Sequence, residues 1–141
     1  MKSTLTISFV LALLFTSCSE VLLEDYIAGT WELKGYARNN LDETLEINIA
    51  SYEETYILGG TFQRSYLDGK QNQVDETGEF DINEDKRTIH LSDISSIADF
   101  SNDHSTLSTS TIKVVILDET EFVYSFENGG DRHAFRFIKK Q

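Results

Sequence analysis

The chain has 141 residues, of which 40% are apolar, 11% aromatic and 26% charged, enough for one folded domain and too few for two. Twelve basic residues against twenty-four acidic ones leave a net charge of −12, which repels phosphate backbones and argues against a nucleic-acid partner. A single cysteine excludes an intrachain disulfide, and proline is absent.

Residues 1–17 read as a targeting segment. Lys2 gives a positive start, and residues 7–15 (ISFVLALLF) are apolar but for Ser8. A bilayer-spanning helix needs about twenty such residues, so this stretch is too short for a permanent anchor. It ends Leu14-Phe15-Thr16-Ser17-Cys18, which resembles the lipobox of bacterial lipoproteins. In that family the signal peptide is cut immediately before a cysteine that carries the lipid. Phe15 stands where the family usually has leucine. The resemblance implies cleavage after Ser17, acylation of Cys18, a lipidated segment over residues 18–26 and a folded domain over 27–141. A buried free thiol or an ordinary secretory signal is the alternative, but a sole cysteine closing an apolar run fits neither well. Cleavage leaves 124 residues, and loss of Lys2, the one charge before Cys18, takes the net charge from −12 to −13. Acyl chains such as palmitate, at about 0.8 kcal/mol per buried methylene, hold such a protein on a membrane. Ser19 follows the cysteine, where aspartate resembles an inner-membrane retention signal in some Gram-negative bacteria. The expected location is therefore the cell envelope at the outer membrane, with the leaflet left open.

Residues 19–26 suit a short helical turn, with Leu22, Leu23 and Tyr26 at helical spacing and Gly29 as a stop. From there the period becomes two. Leu45, Ile47 and Ile49 alternate with polar residues, placing a strand over 41–50 after a first one over 29–36. Val74, Gly78, Phe80 and Ile82 share one face, with Asp75, Thr77, Glu79 and Asp81 on the other. Phe122, Tyr124 and Phe126 alternate in the same way, as do His133, Phe135 and Phe137. Such alternation marks strands with one face in a core. Gly59-Gly60, Asp68-Gly69, Asn83 to Lys86, Asp118-Glu119-Thr120 and Asn128 to Asp131 supply the turns. Residues 92–110 are least regular. Ile94, Ile97 and Phe100 fall at helical spacing, and residues 101–110 are polar. The pattern is that of one all-β domain, an antiparallel up-and-down barrel of about eight strands with a short N-terminal helical turn.

Gly29-Thr30-Trp31, carrying the only tryptophan, resembles the glycine-x-tryptophan signature that opens the first strand of lipocalins. Lipocalin-like bacterial lipoproteins share the wider layout: a lipobox cysteine, a short turn, a GTWxL strand (Gly29 to Leu33), hairpins such as the one over 111–122, and a last strand rich in aromatic and basic residues (Phe135 to Lys140). The resemblance implies a calycin-type barrel in which Trp31 closes the bottom and Arg136 packs over it as a cation–π pair, a structural role for both. Alternation alone turns Arg136 away from the face of Phe135 and Phe137 unless a bulge intervenes.

Chemistry on the remaining residues is sparse. Asp81-x-Asn83-x-Asp85 resembles the start of an EF-hand loop, but Lys86 and Ser92 replace the glycine and glutamate it requires, so it reads as a polar turn. His90, His104 and His133 lack metal-pair spacing. His90 is expected toward solvent and His133 at the rim or edge of the core. Neighbouring carboxylates such as Glu53-Glu54 and Glu43/Glu46 read as a solvated acidic surface. No nucleophile elbow, phosphate loop or dinucleotide fingerprint is present, so no catalytic residue, metal or cofactor is assigned. The candidate site is the aromatic interior: Tyr56, Phe62, Tyr66, Phe80, Tyr124, Phe126 and Phe137, with Arg64 on the face of Phe62 and Tyr66. An eight-stranded barrel either fills with such side chains or holds one small ligand. The expected function is a lipid-anchored, non-catalytic envelope protein that binds a small apolar or amphipathic molecule. The alternative is a non-catalytic interaction module with a filled barrel docking on an envelope or surface complex, marked by an exposed apolar patch beside residues 92–110, whose protein partner the sequence does not name.

Overall fold

The computed structural model describes residues 21–46, 50–67, 70–92 and 111–141. The targeting segment, the 68–69 turn and the irregular run from 93 to 110 lie outside them. A five-residue helix α1 (Leu23–Ile27) leads into β1 (Gly29–Arg38), a two-residue β2 (Leu41–Asp42) and a 3-10 turn (Thr44–Glu46). Seven longer strands follow: β3 (Ala50–Ile57), β4 (Thr61–Leu67), β5 (Gln73–Asn83), β6 (Thr88–Ser92), β7 (Thr111–Leu117), β8 (Glu121–Asn128) and β9 (Asp131–Lys139). β1 and β3 to β9 pair in sequence order, every pair antiparallel, and β1 also pairs with β9. The sheet is thus a closed eight-stranded barrel without open edges.

The alternation predicted from sequence is visible strand by strand. In β8 Phe122, Tyr124 and Phe126 are buried, in β9 His133, Phe135 and Phe137, and in β4 Phe62, Arg64 and Tyr66. Gly59 and Gly60, with φ of +104° and +95°, make the β3–β4 hairpin that bulkier residues would strain. Asn83 Oδ1 accepts the Lys86 amide at 2.9 Å, so the EF-hand-like run is a polar turn between β5 and β6.

Among the described residues the strand predicted over 41–50 is reduced to its first two. Residues 41–50 contain only β2 and the 3-10 turn before β3 begins, with 47–49 outside the described residues. Asp42 Oδ1 accepts both the Thr44 amide (2.9 Å) and the Thr44 hydroxyl (2.6 Å), turning the chain out of extension. β1 bonds directly to β3, leaving no slot in the barrel for another strand. Leu45 accordingly projects outward, 97% exposed.

The turns β3–β4, β5–β6 and β7–β8 and helix α1 share one end of the barrel, and the helix closes it. Leu23 and Ile27, one helical turn apart, are buried, whereas Leu22, expected on the same face, is exposed. Glu84, in the β5–β6 turn, accepts the amides of Leu23 (2.9 Å) and Glu24 (3.1 Å), satisfying donors that a helix start leaves open. At the helix end Trp31 Nε1 donates to the Ile27 carbonyl at 2.8 Å.

Candidate binding site in the barrel interior

All eight residues assigned to the candidate site face inward and are buried: Tyr56, Phe62, Arg64, Tyr66, Phe80, Tyr124, Phe126 and Phe137. Near the closed end the rings of Tyr56, Phe62, Phe80 and Phe122 form one cluster, with centroids 5.1–5.8 Å from that of Tyr56. The contact between Tyr56 on β3 and Phe122 on β8 crosses the interior. Toward the other end Phe126 stacks on His133 at 5.1 Å, and Tyr36 reaches His133 Nδ1 with its hydroxyl at 2.8 Å. His133 thus sits within the core edge, and burial lowers its pKa, favouring the neutral ring. His90 is exposed beside Thr111, as its place in the alternation predicts.

Between these aromatic layers lies a polar one, built around Arg64 and around Glu54, which the sequence reading placed on the surface. Glu54 is 1% exposed. Its carboxylate accepts the hydroxyls of Tyr52 (2.6 Å) and Tyr124 (2.9 Å) on one oxygen and of Tyr56 (2.9 Å) on the other. Beside it Arg64 Nε donates to Glu76 Oε2 at 2.6 Å, Nη2 bonds the same oxygen, and the guanidinium lies 5.8 Å from the Phe62 ring centre. Burial raises the Glu54 pKa above the usual carboxylate range, against the lowering effect of the Tyr52 hydroxyl, Arg64 and the other two tyrosines. The hydroxyls of Tyr52, Tyr56 and Tyr124 are pushed well up, first by burial and then by the Glu54 charge. For Arg64 burial disfavours the charge, but Tyr52, Glu54 and Glu76 outweigh it and hold the guanidinium protonated.

Glu54 and Glu76 are therefore the interior groups that sequence reasoning missed. Strand parity was the available signal. Glu54 lies between Tyr52 and Tyr56, and Glu76 between Val74 and Gly78, each on the face assigned to the core.

The signature residues also need a correction. Trp31 seals the closed end as expected, but the cation over it is Lys139, with Nζ 4.9 Å from the ring centre. Lys139 continues the inward parity of His133, Phe135 and Phe137. Arg136 has the opposite parity, is exposed, and pairs with Glu121 at 2.5 Å. The β1 irregularity between Leu33 and Gly35 shifts the register with β9 but leaves Arg136 outside. Gly29 belongs to the same arrangement. Its φ of +128° suits glycine, and a Cβ there would lie 2.8 Å from Lys139 Cε.

A depression of about 340 Å³ opens on the outer wall, floored by Gly35, Ala37, Val123 and Ala134 and overhung by Thr44. The described residues contain no cluster of three or more His, Cys, Asp or Glu arranged to hold a metal. No described helix is long and apolar enough to cross a membrane.

The fold is lipocalin-like. A lipocalin-like protein from Bacteroides uniformis superposes with a TM-score of 0.53 at 17% identity, over 78% of this chain and 96% of the other. An uncharacterised protein from Bacteroides eggerthii gives 0.51 at 15% identity, over 81% and 99%. Japanin from Rhipicephalus appendiculatus, in its cholesterol-bound form, gives 0.54 at 9% identity, over 79% and 74%. At these identities the likeness is one of fold. No protein-family model and no curated protein matches the sequence.

Proposed function

We propose that this protein is a lipid-anchored, non-catalytic protein of the cell envelope, held at the outer membrane through acylated Cys18, whose barrel binds a small apolar or amphipathic molecule. The polar layer carries the reading. Burying an ion pair and a further carboxylate costs more than filling the same volume with apolar side chains, so packing alone does not call for Arg64, Glu76 and Glu54. Binding sites do combine apolar walls with a few oriented polar groups. Japanin, of the same fold, holds cholesterol, which is consistent with this use of the barrel. The anchor rests on the lipobox-like run ending at Cys18.

A filled barrel serving as an interaction module is favoured by one observation. Among the described residues no buried side-chain polar atom lacks a hydrogen-bond partner. Leu41 and Leu45 are exposed on the segment that overhangs the outer depression. The apolar patch expected beside residues 92–110 falls largely outside the described residues.

Native mass spectrometry of the Cys18→Ser protein, incubated with an extract of its own cells, separates the two. An adduct that survives washing and is lost on denaturation is the expected result. A bare mass under every condition overturns ligand binding and leaves the interaction module. Intact mass of the wild-type protein purified from membranes tests the anchor, since acylation adds the mass of its fatty chains to Cys18.

A further inference from the structure

The closed end carries most of the exposed large apolar residues among those described. Val21 and Leu22 precede α1, Ile57 and Leu58 form the β3–β4 turn, and Val115 and Ile116 lie toward the same end of β7, against which α1 packs. Each is 40% or more exposed. Leu58 lines a surface hollow together with Glu24 and Ile27 of α1. Val21, the first of the described residues, precedes α1 at this same end.

That point also fixes what they face. Cys18 stands three residues before Val21, and three residues span at most about 11 Å of extended chain. A bilayer holding the acyl chains of Cys18 is therefore within about 11 Å of Val21, closer than any soluble partner is required to be. We infer that the closed end of the barrel is a membrane-contact face, with Val21, Leu22, Ile57 and Leu58 set into the interfacial zone of a zwitterionic phospholipid surface. This rests on the anchoring reading above. The charge around the rim selects the lipid. Glu24, Asp25, Glu84, Asp85, Asp118 and Glu119 outnumber Lys86, Arg87, Lys139 and Lys140, so anionic head groups are repelled and zwitterionic ones are not. The orientation turns the opposite end of the barrel, where β1 leads into β2 and β8 into β9, toward the aqueous side.

The test uses the acylated protein, made in a bacterium that processes lipoproteins and reconstituted into phosphatidylcholine vesicles with or without bromine on the acyl chains. Leu58→Trp places a fluorophore at the closed end, and Leu41→Trp places one at the other. Wild-type protein supplies the buried Trp31 background. Loss of emission from Leu58→Trp in brominated vesicles, with Leu41→Trp no more quenched than wild type, is the expected result. Equal behaviour of the two variants, with intact mass showing acylated Cys18, overturns the contact face and leaves the anchor standing. An intact mass without acyl chains overturns both.

Discussion

The inward rings at the closed end of the barrel and the polar groups at its waist are all buried, yet they are held by different physics. At the closed end Trp31, Tyr56, Phe62 and Phe122 pack against one another at tilted and edge-on angles beneath a helix, and apolar burial supplies most of the stability. At the waist Glu54, three tyrosine hydroxyls and the Arg64–Glu76 pair occupy the same kind of inward position, and there each charge is tolerated only because its partners are in place. A packed ring can be trimmed and its neighbours relax. A buried charge that loses its partner has no such recourse.

The largest effects should expose that difference. Phe122→Ala at the closed end and Glu76→Ala at the waist should each cost about 3–5 kcal/mol in urea unfolding, the first through a cavity and the second by breaking a buried ion pair. Their responses to rescue should part. Replacing the whole pair, Arg64→Met with Glu76→Leu, should recover part of the loss, because an apolar pair of similar volume avoids the desolvation cost while Glu54 keeps its three hydroxyl donors but loses the nearby guanidinium. Failure of the double variant to improve on Glu76→Ala would mean that the waist is held by packing like the closed end.

Tyr124→Phe should cost about 1.5–3 kcal/mol, the worth of a hydrogen bond to a charged group, while leaving the ring contacts with Phe122 and Phe137 intact. At the closed end Phe122 and Phe62 have no hydroxyl to lose, and the Tyr56 hydroxyl reaches Glu54 at the waist. Thermal unfolding of Tyr124→Phe beside Phe122→Leu would rank the two layers directly.

A pH series sharpens the contrast further. The folded pKa of Glu54 lies above its unfolded value, so in the window between them the native state binds the extra proton. Stability contributed by this group is complete below about pH 4.5 and declines as pH rises through the folded pKa. His133 works in the opposite sense. Its lowered pKa makes stability rise with pH until about 6.5, the ordinary histidine value. Subtracting the Glu54→Gln curve from wild type should leave the declining component, and a flat difference between pH 4 and 7 would show that Glu54 does not titrate abnormally.

The smallest effects concern the two cations on the last strand. Arg136→Ala removes an exposed pair with Glu121 and should change stability by about 0–1 kcal/mol. Lys139→Ala removes the cation over Trp31 and a bond to the Tyr26 carbonyl, and should cost more, by calorimetry. The reverse order would restore Arg136 as the partner of Trp31.

The barrel was legible because period two recurs in strand after strand between Trp31 and Lys139, outside the irregular run over 92–110, and strands buried on one face display it. Residues 41–50 misled because the alternation of Leu45, Ile47 and Ile49 is outweighed by one local bond network at Asp42 and Thr44. The waist was missed for a different reason. Carboxylates default to the surface when weighed by residue type, although the inward parity of Glu54 and Glu76 was already set by Tyr52, Tyr56, Val74 and Gly78. The aromatic lining was read correctly because type and parity agreed. Lys139 was overlooked because the family resemblance directed attention to Arg136, while the parity of β9 pointed one residue beyond Phe137 and Ile138.

The pairing of β1 with β9 also bears on how the chain reaches its fold. The seam joins Leu33 to Phe137 and Arg38 to His133, partners roughly a hundred residues apart, and Tyr36 bonds His133 across it. Such distant contacts form late and slowly, because the intervening loop must be ordered before they can form. Until β9 is available, β1 has a neighbour only in β2 and β3, and the cylinder stays an open, twisted sheet. In that state the edges of β1 and β9 stay free to pair with another chain, so the last seam to form also sets the moment at which the protein becomes safe from edge-to-edge aggregation.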